Sequence, residues 1–305
     1  MRKRSFSLVL AALLVSSVLV LPAQASDESA PTEATETEQT IWEEKQGTLA
    51  AGEFHSVWID GGIHAIGKRD SYKGSEKWKD ITKVAAWDVT VGIKSDGSVV
   101  LAGTEKYRYN YGSISGWSDI VDVDVNECNI AGLTSSGTVV VAGSNSENQC
   151  DVSYWTDIVD VAVGERNVYG LTSNGTVVSS GYPYTVHANV SSSKWRDIVA
   201  ITAGTHFVAG LKKDGTVVAS GCIDDDDVSH WTDIVAIDAG ADHLVGLRKD
   251  GTVIAASYDN SKGQCNVGGW TDIVAVAAGR FHTAAMKSDG TVVVTGDNGH
   301  GQCNV

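Results

Sequence analysis

The segment WTDIVAVAAGRFHTAAMKSDGTVVVTGDNGHGQ, residues 270–302, decides how the rest of the chain is read. Its opening W-x-D-I recurs at Trp78, Trp117, Trp155, Trp195, Trp231 and Trp270, so successive copies lie 36 to 40 residues apart. A repeat of that length builds a solenoid or a propeller. Within each copy an apolar run follows the Trp, then a mixed run, a turn of the Ser-Asp-Gly type and a Thr-Val-Val run. Short runs rich in Val and Ile, punctuated by Asp-Gly, read as strands joined by hairpins. No copy has an apolar period long enough for a helix.

Residue size orders the strands. The first run of each copy ends in very small residues, as at Ala203-Gly204, Ala239-Gly240 and Ala278-Gly279, while the one regular large residue, the Trp, stands at the junction between copies. In a radial array blades crowd near the axis and spread at the rim, so small residues suit the inner strand and bulky ones fill the widening gaps. The expected fold is an all-β propeller.

Seven hairpin glycines follow seven first strands: Gly62, Gly97, Gly137, Gly175, Gly215, Gly251 and Gly290. Only six W-x-D-I markers accompany them. Trp42 precedes the first inner strand by almost the usual interval, so the N-terminal segment is expected to join the last blade and close a seven-bladed ring without a free edge. Residues 41–305 are read as this one domain.

Upstream, residues 1–25 run from Met1-Arg2-Lys3-Arg4 through an apolar stretch to Ala23-Gln24-Ala25. That is the pattern of a secretory signal peptide. Residues 26–40 (SDESAPTEATETEQT) are acidic and lack aromatics, so they are read as a disordered leader. No anchor is expected after the last blade, and the mature product is expected to be secreted, extracellular and monomeric.

The formal charge is −15, and losing Arg2, Lys3 and Arg4 with the signal peptide makes it −18. Such a surface repels phosphate backbones and anionic lipid, so neither nucleic acid nor membrane is an expected partner. Of the five cysteines, Cys150, Cys265 and Cys303 recur at one position in three blades, too far apart to bridge, and are read as small apolar residues. Cys128 with Cys150 is the pairing to check.

The pattern A-G-x-x-H-x-x-x-L/M-x-x-D-G-T-V-x-x-x-G-x-N-x-x-G-Q, clearest in 278–302 and 239–264, resembles the regulator of chromosome condensation repeat. That resemblance implies a seven-bladed propeller and a scaffold on which function varies. The chain is similar in style to the family's secreted, short-bladed β-lactamase-inhibitory members. They imply a protein-binding role through one face, by the inner loops.

Residues that repeat with the blades belong to the scaffold. His55, His243 and His282 are therefore assigned to buried hydrogen bonds and not to a metal or catalytic site. The aspartates of W-x-D-I and of the hairpins are turn residues. The run Asp224 to Asp227 lacks the spacing of a calcium loop and is read as solvated. No nucleophile elbow, phosphate loop or H-E-x-x-H is present, so neither an enzyme, a cofactor nor a metal is expected.

Function should then sit where the blades differ. The loop after A-G and the loop after the third strand share one face, and the hairpins lie on the other. The first set presents Glu53, Phe54, Trp87, Asp88, Glu127, Arg166, His206, Asp242, Arg280 and Phe281 around the channel mouth, and Tyr107, Tyr109 and Tyr111 stand farther out. Aromatics interleaved with charges on a rigid surface make binding hot spots. The expected function is binding of an extracellular protein, with inhibition of an enzyme as one form of it. Binding of carbohydrate or cell wall by the tyrosine loop is the alternative.

Overall fold

The computed structural model of the protein describes residues 48–103, 111, 113–182 and 195–305. The expectations for the leader, Trp42, Tyr107 and Tyr109 lie outside the described residues. Seven three-stranded sheets follow one another along the chain, over residues 49–67, 81–102, 120–143, 158–181, 198–221, 234–257 and 273–296. Each is an antiparallel meander whose strands keep sequence order, giving the seven blades of an all-β propeller. Short helices appear only as insertions, Arg69–Tyr72 and Asp225–Val228 among them.

The repeated signature residues each perform one local task. The Asp of W-x-D-I holds a left-handed backbone in six copies, with φ between 57° and 61° at Asp80, Asp119, Asp157, Asp197, Asp233 and Asp272. Asp tolerates that region better than most residues with a Cβ. Its carbonyl then accepts from the hairpin, as Ser95 N to Asp80 O at 2.8 Å and Ser288 N to Asp272 O at 2.9 Å. At the hairpins themselves Asp96, Asp214, Asp250 and Asp289 accept from the backbone N–H two residues on, closing Asx turns.

One residue after the start of each inner strand in blades 2 to 7 the register slips, between Ile81 and Lys83 and again between Ile120 and Asp122, for instance. A bulge of this kind leaves one residue unpaired and tightens the twist.

The Trp of W-x-D-I packs against the middle strand of its own blade. A Cβ added at Gly92, Gly132, Gly170, Gly210 or Gly246 would come within 2.6 to 2.9 Å of the ring of Trp78, Trp117, Trp155, Trp195 or Trp231. Glycine there is a matter of space, since none of these five has a positive φ. The first blade reverses the arrangement: in the same register its middle strand carries Trp58. That indole packs against a cluster containing Leu49 and Ala51 of blade 1 and Ala275, Ala284 and Met286 of blade 7. The blade without a described W-x-D-I Trp thus fills the equivalent space from the opposite side.

Candidate functional site

Hydrogen bonds fix which loops share a face. In six of the seven blades the residue after the outer strand donates back to the loop that follows the inner strand, as Lys68 N to Phe54 O at 2.8 Å, Tyr182 N to Arg166 O at 3.1 Å and Asp297 N to Phe281 O at 2.8 Å. At the other end, the hairpins of blades 2 to 6 each accept from the start of the next blade, as Ile120 N to Gly97 O and Ile158 N to Gly137 O, both at 3.0 Å. The A-G loops and outer-strand ends form one face and the hairpins the other.

Beneath the A-G face lies a chain of buried imidazoles. His55, His243 and His282 are fully buried, and each reaches a hydroxyl on the middle strand of the next blade: Thr90 at 2.8 Å, Thr283 at 2.9 Å and Ser56 at 2.9 Å. Thr90 and Thr283 each spend their own proton on a carbonyl, of Ser71 and Gln264 respectively. Their histidines therefore donate from Nε2. Burial drives the imidazoles down to about 3, 3 and 4 for His55, His243 and His282, so they are neutral at physiological pH. The rings also explain the A-G glycines, since a Cβ at Gly240 would lie 2.4 Å from His243 Cε1 and 2.1 Å from the Gly279 carbonyl.

The mouth residues separate into two kinds. Phe54, Arg280 and Phe281 are half-exposed, Asp242 is half-buried, and Glu127, Arg166 and His206 are exposed. Trp87, Asp88 and Glu53 are buried, at 5%, 8% and 9% exposure. Trp87 lines the central cavity and belongs to a packed cluster that includes Val125 of blade 3 and Ala241 of blade 6. A loop position that looked free in sequence is thus occupied by a core residue, because a ring this narrow brings loops of distant blades together. Tyr111 is also fully buried in that cluster, so it offers no exposed stacking surface.

Charge at the mouth is arranged in pairs. Burial, and then a hydrogen bond to Glu53, push Asp88 up to about 8. The Arg280 guanidinium of blade 7 holds Glu53 of blade 1. Glu165 lies 3.8 Å from Arg166 and 3.5 Å from His206. Cations also sit on aromatic faces: Lys68 Nζ is 4.5 Å from the Phe54 centroid, Arg280 5.2 Å from Phe281 and Arg166 5.7 Å from Tyr182. His300 meets Phe54 edge-on at 4.6 Å. Blades 7 and 1 therefore carry a continuous aromatic and cationic arc, joined at the backbone by Arg280 N to Gly52 O.

Below the mouth runs a central cavity of about 310 Å³ lined by Asp122, Asp124, Asp160 and Asp238. Sequence reasoning passed over these four, although a charge inside IVDVDV (120–125), IVDVAV (158–163) or IVAIDA (234–239) was a visible signal. Their work is to join blades. Asp124 accepts from Val125 N and Val163 N, Asp160 from Val161 N and Ile201 N, and Asp238 from Ala239 N and Ala278 N. Each carboxyl so satisfies free-edge N–H groups of its own inner strand and the next. Asp122 likewise accepts from Val123 N, but pairs across the blades with Lys83 of blade 2 at 3.1 Å. Enclosure within the ring raises Asp124 to about 7, Asp160 to about 8 and Asp238 to about 6.

All five cysteines are free thiols of intermediate burial, Cys128 and Cys150 included. Among the described residues no group of three or more His, Cys, Asp or Glu is placed to hold a metal, and no helix is long and apolar enough to cross a membrane.

Residues 273–302 match the model of the regulator of chromosome condensation (RCC1) repeat, the resemblance already visible in that blade. Among solved structures, the chain is similar to the CRINKLY WD40 ectodomain of the Arabidopsis thaliana receptor kinase ACR4, with a TM-score of 0.65 and 13% identity over 82% of this chain and 95% of that one. It is also similar to Prp20p from Saccharomyces cerevisiae, at a TM-score of 0.59 and 16% identity over 81% of each chain. Human WBSCR16 gives a TM-score of 0.59 and 12% identity over 82% of this chain and 86% of that one. Among curated proteins none matches. At these identities the likeness establishes the propeller fold.

Proposed function

We propose that this propeller is a secreted, non-catalytic module that binds another protein through its A-G face. The observation that carries the reading is the arc formed by Phe54, His300, Lys68, Arg280 and Phe281, where half-exposed aromatic rings lie beside cations on a rigid ring. Aromatic and Arg side chains on such a frame are the usual anchors of protein interfaces. Support by analogy comes from Prp20p, whose structure was described with its binding to Gsp1p and histones. Inhibition of an extracellular enzyme is the form of binding that the short-bladed resemblance favours. The carbohydrate alternative loses Tyr111, which is buried.

The test is capture from culture medium by the purified domain, wild type against Phe54→Ala with Phe281→Ala. Loss of an anchor costs at least about 2 kcal/mol, roughly thirtyfold in affinity. A captured protein released by the double variant supports the reading; capture that ignores the double variant, or binding seen only on a glycan array, overturns it. N-terminal sequencing of the exported protein should begin at Ser26.

A further inference from the structure

The central cavity holds more acid than the joining of blades requires, and the acid stands at two levels. Asp124 and Asp238 are in register with Ala131 and Val245, each the third residue of its middle strand. Asp122 and Asp160 are in register with Leu133 and Leu171, each the fifth. Two residues separate the levels along a strand, about 6 to 7 Å at about 3.3 Å per residue. Asp124 and Asp238 belong to blades 3 and 6, three steps round a ring of seven, so they face each other across the axis. Burial, and across the channel the charge of Asp238, hold the Asp124 carboxyl high.

These carboxyls keep acceptor capacity. Asp124 and Asp160 each accept two backbone N–H groups, about half of what the four or so lone-pair sites of a carboxylate can take. All four side chains are half-buried although the ring surrounds them, so what they expose faces the cavity of about 310 Å³ that they line. Lys83 is engaged by Asp122, and among the described residues that line the cavity there is no Lys, Arg or His. No three of the acidic side chains converge to hold a metal ion. Elsewhere at these two levels the wall is small and apolar, with Ala50 and Ala85 in register with Asp124, and Ala200 and Ala236 in register with Asp160. Acid at two heights with alanine between calls for a ligand with two positive ends and an apolar middle.

We propose that the central cavity is a binding site for a linear aliphatic diamine, with one ammonium between Asp124 and Asp238 and the other at Asp160 and Asp122. The methylene chain runs along the axis past the alanines, and each ammonium donates to the carboxylate oxygens that the backbone leaves open. An extended chain of four carbons sets its two nitrogens at the separation of the levels. The site is independent of protein binding on the A-G face.

Isothermal titration calorimetry of the full chain with putrescine, ethylenediamine and butylamine tests the site at pH 8, where Asp124 and Asp238, at about 7 and 6, are ionised. Putrescine should bind saturably, one per chain. Ethylenediamine, too short to reach both levels, and butylamine, with one charge, should bind at least tenfold more weakly. Asp124→Asn with Asp238→Asn should weaken putrescine at least tenfold, while Lys83→Met, which releases Asp122, should tighten it. Phe54→Ala on the A-G face and Asp289→Asn at a hairpin should leave it unchanged. Should the asparagine pair fail to fold, Asp160→Asn takes its place, and the comparison of the three amines on the wild type needs no variant. No saturable binding, equal binding of the three amines or binding that ignores the asparagine variants overturns the proposal. Magnesium chloride raising the melting temperature as much as putrescine also overturns it, in favour of ionic screening.

Discussion

His282 Nε2 lies 2.9 Å from Ser56 Oγ, which joins the seventh blade to the first across 226 residues of sequence. His243 with Thr283 and His55 with Thr90 repeat the contact at the junctions on either side. One interaction, copied at three successive junctions, holds the part of the ring where chain start and chain end meet.

Ser56→Ala should therefore destabilise the domain although it removes a single oxygen. The change strands a buried ring nitrogen, which costs about 1 to 3 kcal/mol. Thr283→Ala should do the same at the next junction, and thermal melts of both variants check it. Unchanged melting would mean that the imidazole finds another hydrogen-bond partner.

Trp58 should be indispensable in blade 1, where glycine or alanine serves elsewhere. Trp58→Ala removes a large side chain from the cluster between blades 1 and 7 and should cost about 3 to 5 kcal/mol. Gly246→Ala should also lower the melting temperature, because its new Cβ would sit 2.6 Å from the Trp231 ring. Denaturant titration of the two variants measures both effects.

The pH profile of stability should slope in opposite directions on its two sides. His55, His243 and His282 fall to about 3, 3 and 4 in the folded state, so their stabilisation is complete above the unfolded value near 6.5 and is lost as pH drops through 4. Asp124, Asp160 and Asp238 rise to about 7, 8 and 6, so theirs is complete below the unfolded value near 3.8 and is lost as pH climbs through 6 to 8. Above about pH 6.5 only the carboxyl slope remains among these six groups. Calorimetry at pH 6.5, 7.5 and 8.5 should show a falling melting temperature, and Asp160→Asn should flatten the fall. An equal slope in that variant would remove Asp160 from the account.

Trp87→Ala should lower stability by about 3 to 5 kcal/mol, since its indole is buried where an exposed anchor was expected. Phe54→Ala should leave the melt nearly unchanged while weakening any partner recovered on the A-G face. Lys213→Ala and Lys249→Ala, on the hairpin face, should affect neither. Circular dichroism melts beside the binding assay distinguish the three cases.

The blade count, strand order, hairpin turns and scaffold role of the histidines were all legible in the chain, because a repeat states each local rule many times. W-x-D-I and A-G-x-x-H recur in register, and whatever turns with the blades must serve what the blades share. Residues that depart from the repeat were harder to place. Trp87 and Tyr111 read as exposed loop aromatics, while Asp124, Asp160 and Trp58 drew no reading from the repeat. Their environments are supplied by other blades: Trp87 is packed in a cluster with Ala241, Asp124 takes its second N–H from Val163, and Trp58 rests on blade 7. Local sequence determines what a residue does within its own blade, where neighbours are close along the chain. Closing the ring decides what it meets beyond that blade, because curvature brings together surfaces whose separation in sequence carries no periodic signal.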